Sequence, residues 1–250
     1  MFFINYITKR KLSSKQKLNP STLKNFQSKL ILELIKAKLY LGLSLSSWNS
    51  KVKYGLEGIR NDFCVIDMRK TAGDLTLALG VVSKISRRKK VIVRKRRKKK
   101  LLSLKKSEIL FVGFPETEQK NLKLLYKAKK HHYVNEEFWI NGLLTNGSSF
   151  VTYRNNFLKN YSEQSEADKE IFFHHFEGIL NLNRKPDLVF IYNHSKGIEI
   201  FKEANSLRIP VISFLNTSDD PTLVDYPVLG NFNSKDAGSL YYKLIKRFLK

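Results

Sequence analysis

What most constrains this chain is a set of short apolar runs that do not alternate: Phe63-Cys-Val-Ile66, Ile109-Leu-Phe-Val-Gly113, Pro186-Asp-Leu-Val-Phe-Ile-Tyr192 and Ile209-Pro-Val-Ile-Ser-Phe214. A strand with one wet face alternates apolar and polar residues, whereas a strand covered on both faces need not. The first three runs are each followed by a stretch of helical length and spacing, predicted over 71–85, 116–130 and 196–207. Strand, helix and strand in succession, joined by right-handed crossovers, predict an α/β fold: a doubly wound parallel sheet with helices on both faces. A short strand near Tyr133-Val134 and a closing helix over 235–250 extend the pattern. Leu30, Leu34, Ala37 and Leu41 place an earlier amphipathic helix over 28–45, ending near Gly42. Thr71 and Asp74 are expected to form a capping box that opens the helix at 71–85.

Residues 147–185 break the alternation. Two helical patterns, one through Phe150, Tyr153, Phe157 and Tyr161 and one through Phe172, Phe173, Phe176, Ile179 and Leu180, predict a protruding α-helical hairpin. Aromatic side chains at that spacing make a packed seam, so the hairpin is expected to be a projection outside the sheet's core. At 42% apolar, 250 residues suffice for one sizeable α/β core.

Charge separates into regions. The formal net charge is +24, from 46 Lys and Arg against 22 Asp and Glu. Seven of the bases lie in 1–32 and thirteen in 87–106, with no acid in either, which leaves 26 bases against all 22 acids elsewhere. The division expected is a basic N-terminal arm, 1–30, and a single domain, 31–250, carrying a basic insert at 86–107 and the hairpin at 147–185. Such runs repel themselves and attract polyanions. With Cys64 the one cysteine, an intrachain disulfide and an all-Cys zinc site are both excluded. The chain has no stretch of 18 apolar residues and so no transmembrane helix, while the acid-free residues 1–32 resemble an organelle presequence. Lysine, asparagine and phenylalanine at 34, 19 and 17 against seven alanines fit an A+T-rich genome, either organellar or bacterial.

A doubly wound sheet raises the question of a nucleotide enzyme, because such folds bind ligands at the carboxyl ends of their strands. The turn after 109–113 reads Phe114-Pro115-Glu116-Thr117, with no glycine cradle and with an acid where a phosphate would sit. His131-His132 and His174-His175 are adjacent pairs whose rings diverge, and they read as surface or seam residues rather than ligands. Asn216-Thr-Ser-Asp-Asp-Pro221 is the composition of a tight turn. No catalytic residue, metal site or cofactor is expected.

Several motifs nevertheless fall in one order. Leu41-Gly42, Trp48-Asn49-Ser50-Lys51, Tyr54, Gly58-Ile59-Arg60-Asn61, Val65-Ile66-Asp67 and Lys70-Thr71 resemble the opening signature of the small-subunit ribosomal protein S2 family. Ile109–Gly113, Trp139-Ile-Asn-Gly142-Leu-Leu-Thr145-Asn146, Pro186-Asp187, Glu203-Ala204-Asn205, Ile209-Pro210-Val211, Asp220-Pro221, Asp225-Tyr-Pro227 and Gly230-Asn231 continue it, over roughly 31–85, 108–146 and 186–250. The resemblance implies a flavodoxin-like parallel sheet with a protruding α-hairpin, no enzymatic activity, and a structural place in the small ribosomal subunit near the junction of head and body. Small-subunit rRNA and other small-subunit proteins are then the partners, with no membrane and no small-molecule substrate. Departures from the family are Phe138 for an arginine, Asn141 for the first of two glycines, and Phe232-Asn233 for paired acids. With the short hairpin, the added arm and insert, and the compositional skew, they point to a mitochondrial member, in the matrix.

Ribosomal RNA is met mainly through phosphate and sugar. Lys51, Lys53, Arg60, Asn61 and Lys70 are therefore the candidate RNA-binding residues of the first motif, with Asn49 a further neutral donor, and Arg87, Arg88, Arg94, Arg96, Arg97 and Lys98 are those of the insert. Arg60, planar and permanently charged, suits a bidentate phosphate contact; pairing with Asp62 or Asp67 is the competing role. For Trp48 and Trp139, stacking on an unpaired base competes with packing. A nucleotide or sugar-phosphate binding enzyme and a free RNA-binding adaptor are the rival functions.

Overall fold

The computed structural model describes residues 20–86, 92–95, 98–101, 107–129, 131–193 and 197–249. In chain order these form α1 (Pro20–Lys36), β1 (Leu41–Ser44), β2 (Leu56–Arg60), β3 (Phe63–Ile66), α2 (Met68–Ser86), β4 (Ile92–Lys95), β5 (Lys98–Leu101), β6 (Ile109–Val112), α3 (Glu116–Lys129), β7 (His132–Val134), α4 (Gly147–Lys159), α5 (Glu166–Phe176), β8 (Leu188–Ile191), α6 (Ile198–Ser206), β9 (Val211–Leu215), β10 (Tyr226–Leu229) and α7 (Ala237–Phe248).

Five strands make the central sheet in the order β10-β9-β8-β6-β7, every neighbouring pair parallel. Counted along the chain this is the order 2-1-3-4-5 of flavodoxin-like folds, with the switch point between β6 and β8. All residues of β6, β8 and β9 are buried, as their unbroken apolar runs require. Phe111, Phe190 and Phe214 step across the three strands, with ring centroids 5.8 and 5.1 Å apart.

The first apolar run belongs elsewhere. Strand β3 is the middle of a separate antiparallel sheet, β1-β3-β2. Between β2 and β3 lie only Asn61 and Asp62, at φ 48° and 63°, with Arg60 opposite Phe63. Two consecutive left-handed residues make the tight turn that joins antiparallel strands; Asn-Asp in place of Asn-Gly hides it in the sequence. Helix α1 also stops earlier than its apolar spacing predicts. Lys38, at φ 56°, reverses the chain, and residues 41–44 become a strand. There Gly42 lies so close to Cys64 and Thr217 that a Cβ would sit 2.8–2.9 Å from their atoms. The cap of α2 is not the predicted box. Asp67 accepts the Arg69 N–H at 2.9 Å and the helix opens at Met68, while the Thr71 hydroxyl donates to the Leu229 carbonyl at 2.8 Å.

One buried apolar cluster runs from Leu30 and Leu34 of α1 to Ile245 of α7, and it includes Phe150, Phe172 and Phe176 of the α4–α5 hairpin. The expectation that the hairpin lies outside the core is thus corrected at its base. Gly178, just beyond α5, fits directly against Tyr133 of β7, where any side chain would overlap, and this close approach brings the seam onto the sheet. The basic insert contains an antiparallel ribbon, β4 with β5, which pairs with no other strand among the described residues.

Candidate nucleic-acid interface

The place where a sheet of this order would hold a nucleotide is the crevice beyond the ends of β6 and β8. Here the residues leaving those strands, Phe114 and Tyr192, are both 5% exposed, with centroids 5.0 Å apart. The Tyr192 hydroxyl donates to the Phe232 carbonyl at 3.2 Å, and Phe214 stacks on Tyr241 at 3.8 Å. Aromatic rings thus occupy the ground a phosphate would need. Gly113 turns the chain at φ 72°, but the Glu136 carboxylate stands where a Cβ would be, and it would repel an anion. Among the described residues no group of three or more His, Cys, Asp or Glu side chains is arranged to hold a metal, and no helix is long and apolar enough to cross a membrane.

The candidate RNA-binding residues of the first motif lie on the antiparallel sheet and the elements flanking it, and all are exposed. They differ in what they are free to do. Lys51 is 2.5 Å from Asp220, and its ammonium, with the Thr222 hydroxyl and amide, holds that carboxyl well below the usual carboxylate range. Lys70 donates to the Tyr54 carbonyl at 2.6 Å. Arg60 makes no ion pair among the described residues, with neither Asp62 nor Asp67; Asp67 is engaged by Arg69. Burial works to raise the Asp67 carboxyl, but the Arg69 amide and guanidinium outweigh it and leave it lowered. Asn61 is placed by its left-handed backbone, a conformation asparagine tolerates well. Of the insert candidates, Arg94 and Lys98 lie on β4 and β5, whereas Arg87, Arg88, Arg96 and Arg97 fall outside the described residues.

The other motif residues turn out to be scaffold. Glu203 accepts the Trp139 indole N–H at 3.3 Å, the amides of Gly142, Leu144 and Thr145 at 2.8, 3.0 and 3.3 Å, and the Thr145 hydroxyl at 3.4 Å. Two motifs some sixty residues apart are one latch, tying α6 to the segment that enters the hairpin; the sequence spacing gives no sign of it. Trp48 and Trp139 are both half-buried against the core, which is the packing role. Asp219 accepts the Asn216 amide at 2.7 Å and Asp220 the Thr222 amide at 2.9 Å, so the acid pair shapes a turn. Asp187 receives the Glu108 amide and the Arg184 guanidinium, both at 3.1 Å. The histidines are not surface residues as a set. His131 and His132 are buried, the latter 3.4 Å from Glu108, and His175 stacks on Phe138 at 3.9 Å.

The geometry agrees with the comparisons to known proteins. The sequence profile described as Ribosomal protein S2 matches residues 34–101 and 97–249, its two stretches meeting on strand β5 of the ribbon. Small ribosomal subunit protein uS2 of Rhizobium etli (strain CIAT 652) is 29% identical over 229 residues, 86% of this chain and 83% of that protein. The uS2 protein of Rickettsia akari (strain Hartford) is 28% identical over 236 residues, 88% and 74% of the two chains. For uS2c of Emiliania huxleyi the identity is 30% over 218 residues, 80% and 86% of the two chains. With a flavodoxin-like sheet whose switch point is filled by aromatic rings and whose motif acids serve as scaffold, this chain belongs to the ribosomal protein S2 family, whose members are structural rather than enzymatic.

Proposed function

We propose that this protein is a structural constituent of the small ribosomal subunit, binding small-subunit rRNA through two sets of cations and meeting neighbouring ribosomal proteins elsewhere. The observation that carries this reading is the contrast between cations with and without internal partners. Arg60 and Lys53 are exposed and make no ion pair among the described residues, and residues 87–106 hold thirteen bases and no acid. Lys51 and Lys70, internally bonded, orient the motif and reach RNA as secondary contacts, with Asn61 a neutral donor at the turn. Arg87, Arg88, Arg94, Arg96, Arg97 and Lys98 supply the larger electrostatic share. The names of the uS2 relatives support assembly into the small subunit. The lysine- and asparagine-rich, alanine-poor composition fits an organellar genome and supports a mitochondrial ribosome. The test is sedimentation of the endogenous protein with small subunits from purified mitochondria at moderate salt. Co-migration that Arg60→Ala weakens is the expected result; a protein that stays at the top of the gradient would sink the proposal.

A further inference from the structure

We infer that Phe63 is a stacking platform for one unpaired base of the small-subunit rRNA, and that Arg60, directly across the strand pair, holds a phosphate beside that base. The inference rests on the rRNA-binding reading above and adds the form of RNA that the antiparallel sheet takes.

Side-chain direction follows from burial and register. In β3, Cys64 and Ile66 are 1% exposed and point into the body, so Phe63 and Val65 point away from it. Residues directly opposite in an antiparallel pair share a face. Phe63 is opposite Arg60 on β2 and Ser44 on β1, and Val65 is opposite Gly58 and Leu41. The outward face therefore has two rows, Ser44-Phe63-Arg60 and Leu41-Val65-Gly58. At Gly58 a Cβ would meet nothing within 4 Å, which leaves the surface beside Phe63 and Val65 low and open.

A single exposed apolar side chain is ordinary on a protein surface. Phe63 stands apart by its setting. At 56% it is the most exposed Phe, Tyr or Trp among the described residues, and it lies in the middle strand of a sheet. Among those residues no other ring stacks on it and no cation lies over it. Arg60 is exposed and makes no ion pair among them, although Asp62 stands in the intervening turn, and the exposed Asn61 adds an amide at the same tip. An uncovered flat ring offers a base its π-face, and an unpaired guanidinium offers a phosphate its fork of donors. Trp48 and Trp139, half-buried against the core, have no such open face.

A protein is the other conceivable occupant. Of the six residues in the two rows, Leu41 and Phe63 are the exposed apolar side chains, far short of the roughly 800 Å² that a protein partner usually covers. One base needs one ring. That base has to be unpaired, because inside a duplex its two faces are already stacked on its neighbours.

The test measures the affinity of the full-length protein for its own small-subunit rRNA, transcribed in vitro, across a salt series. Phe63→Leu keeps an apolar side chain but loses the flat ring. It should weaken binding about tenfold and leave the salt slope unchanged, since no charge is removed. Phe63→Tyr keeps the ring and should bind as the wild type does. Arg60→Gln should lower the slope by about 0.7, the share of one phosphate in a single strand. Urea unfolding of all three should match the wild type, because the sites are exposed. Equal binding by wild type and Phe63→Leu, a tyrosine variant as weak as the leucine one, an unchanged slope for Arg60→Gln, or a lower unfolding midpoint for Phe63→Leu would each overturn this inference alone. A wild-type protein that binds no rRNA would end the functional reading beneath it.

Discussion

The α4–α5 hairpin and the β4–β5 ribbon both interrupt the alternation of strand and helix, and they are built on opposite terms. In the hairpin the aromatic seam and several polar groups find partners within the protein. Phe157 lies face to face with Phe172 at 3.9 Å, Phe150 meets Phe176 edge-on at 5.6 Å, the Ser165 hydroxyl accepts the Asp168 amide at the start of α5, and Lys169 reaches Glu166 at 2.8 Å. The ribbon lies in a run, 87–106, that holds thirteen bases and no acid, and its backbone register pairs Arg94 with Lys99 and Lys95 with Lys98. A segment whose groups satisfy one another contributes to the stability of the fold, and a segment left in electrostatic debt contributes to binding. Substitutions in the two should therefore be read out by different measurements.

The largest effect is expected from the ribbon, in binding. If about five of the insert's cations meet phosphates, deleting 86–107 lowers the slope of log affinity against log salt by roughly 3.5–4.5, at about 0.7–0.9 for each contact. Chemical unfolding of the globular body should hardly change. Parallel salt lines for the two proteins would break the comparison at once, because the run would then touch no phosphate.

In the hairpin the prediction reverses. Phe172 is 2% exposed and sits among the rings of Tyr153, Phe157, Phe173 and Phe176. Phe172→Ala should cost about 3–4 kcal/mol in urea unfolding, from lost transfer energy and the cavity left behind, and leave the salt slope of RNA binding as it was. A changed slope with unchanged stability would make the seam an RNA-facing surface.

A smaller loss is expected at the latch. Glu203→Ala strands three amides, an indole N–H and a hydroxyl, some of which water will recover, so about 2–3 kcal/mol is a reasonable expectation. Glu203→Gln keeps one acceptor oxygen and should lose about half of that. If the two variants are equally stable, the negative charge and its geometry contribute nothing, and the hairpin is held by its aromatic contacts alone.

The physics of each region decides how much of it the sequence discloses. Strands β6, β8 and β9 are legible because burial on both faces demands an unbroken apolar run, and α5 because its aromatic residues repeat at helical spacing. Strand β3 carries the same apolar run, Phe63 to Ile66, yet it joins an antiparallel sheet, since the deciding fact is the backbone of Asn61 and Asp62. Strands β1 and β2 are mostly exposed or half-buried and have no apolar pattern to display. The candidate cations could be picked out by type and position, but the salt bridge that occupies Lys51 comes from Asp220, 169 residues away. Long-range partners of that kind, like the donors to Glu203, depend on the completed fold and leave no local trace.

The smallest predicted effect extends the comparison to a single charge in the body that, like those of the ribbon, lacks full compensation. Asp74, half-buried on α2, is pushed by burial from an ordinary 3.8 up to about 6, although the nearby Lys70 pulls the other way. The sign follows from linkage: a carboxyl raised on folding is most easily held when protonated. Its favourable contribution is complete below the unfolded value and is lost as pH climbs through the folded one. Stability should accordingly fall between about pH 4 and pH 7. A shift of about two units corresponds to about 3 kcal/mol at most, and access to solvent reduces this to about 1–2 kcal/mol. Asp74→Asn removes the ionisation, so it should stabilise the protein by that amount in urea unfolding at pH 7 and by nothing measurable at pH 4. An equal gain at both pH values would show that the side chain's packing is responsible, and the parallel with the ribbon's uncompensated charge would fail.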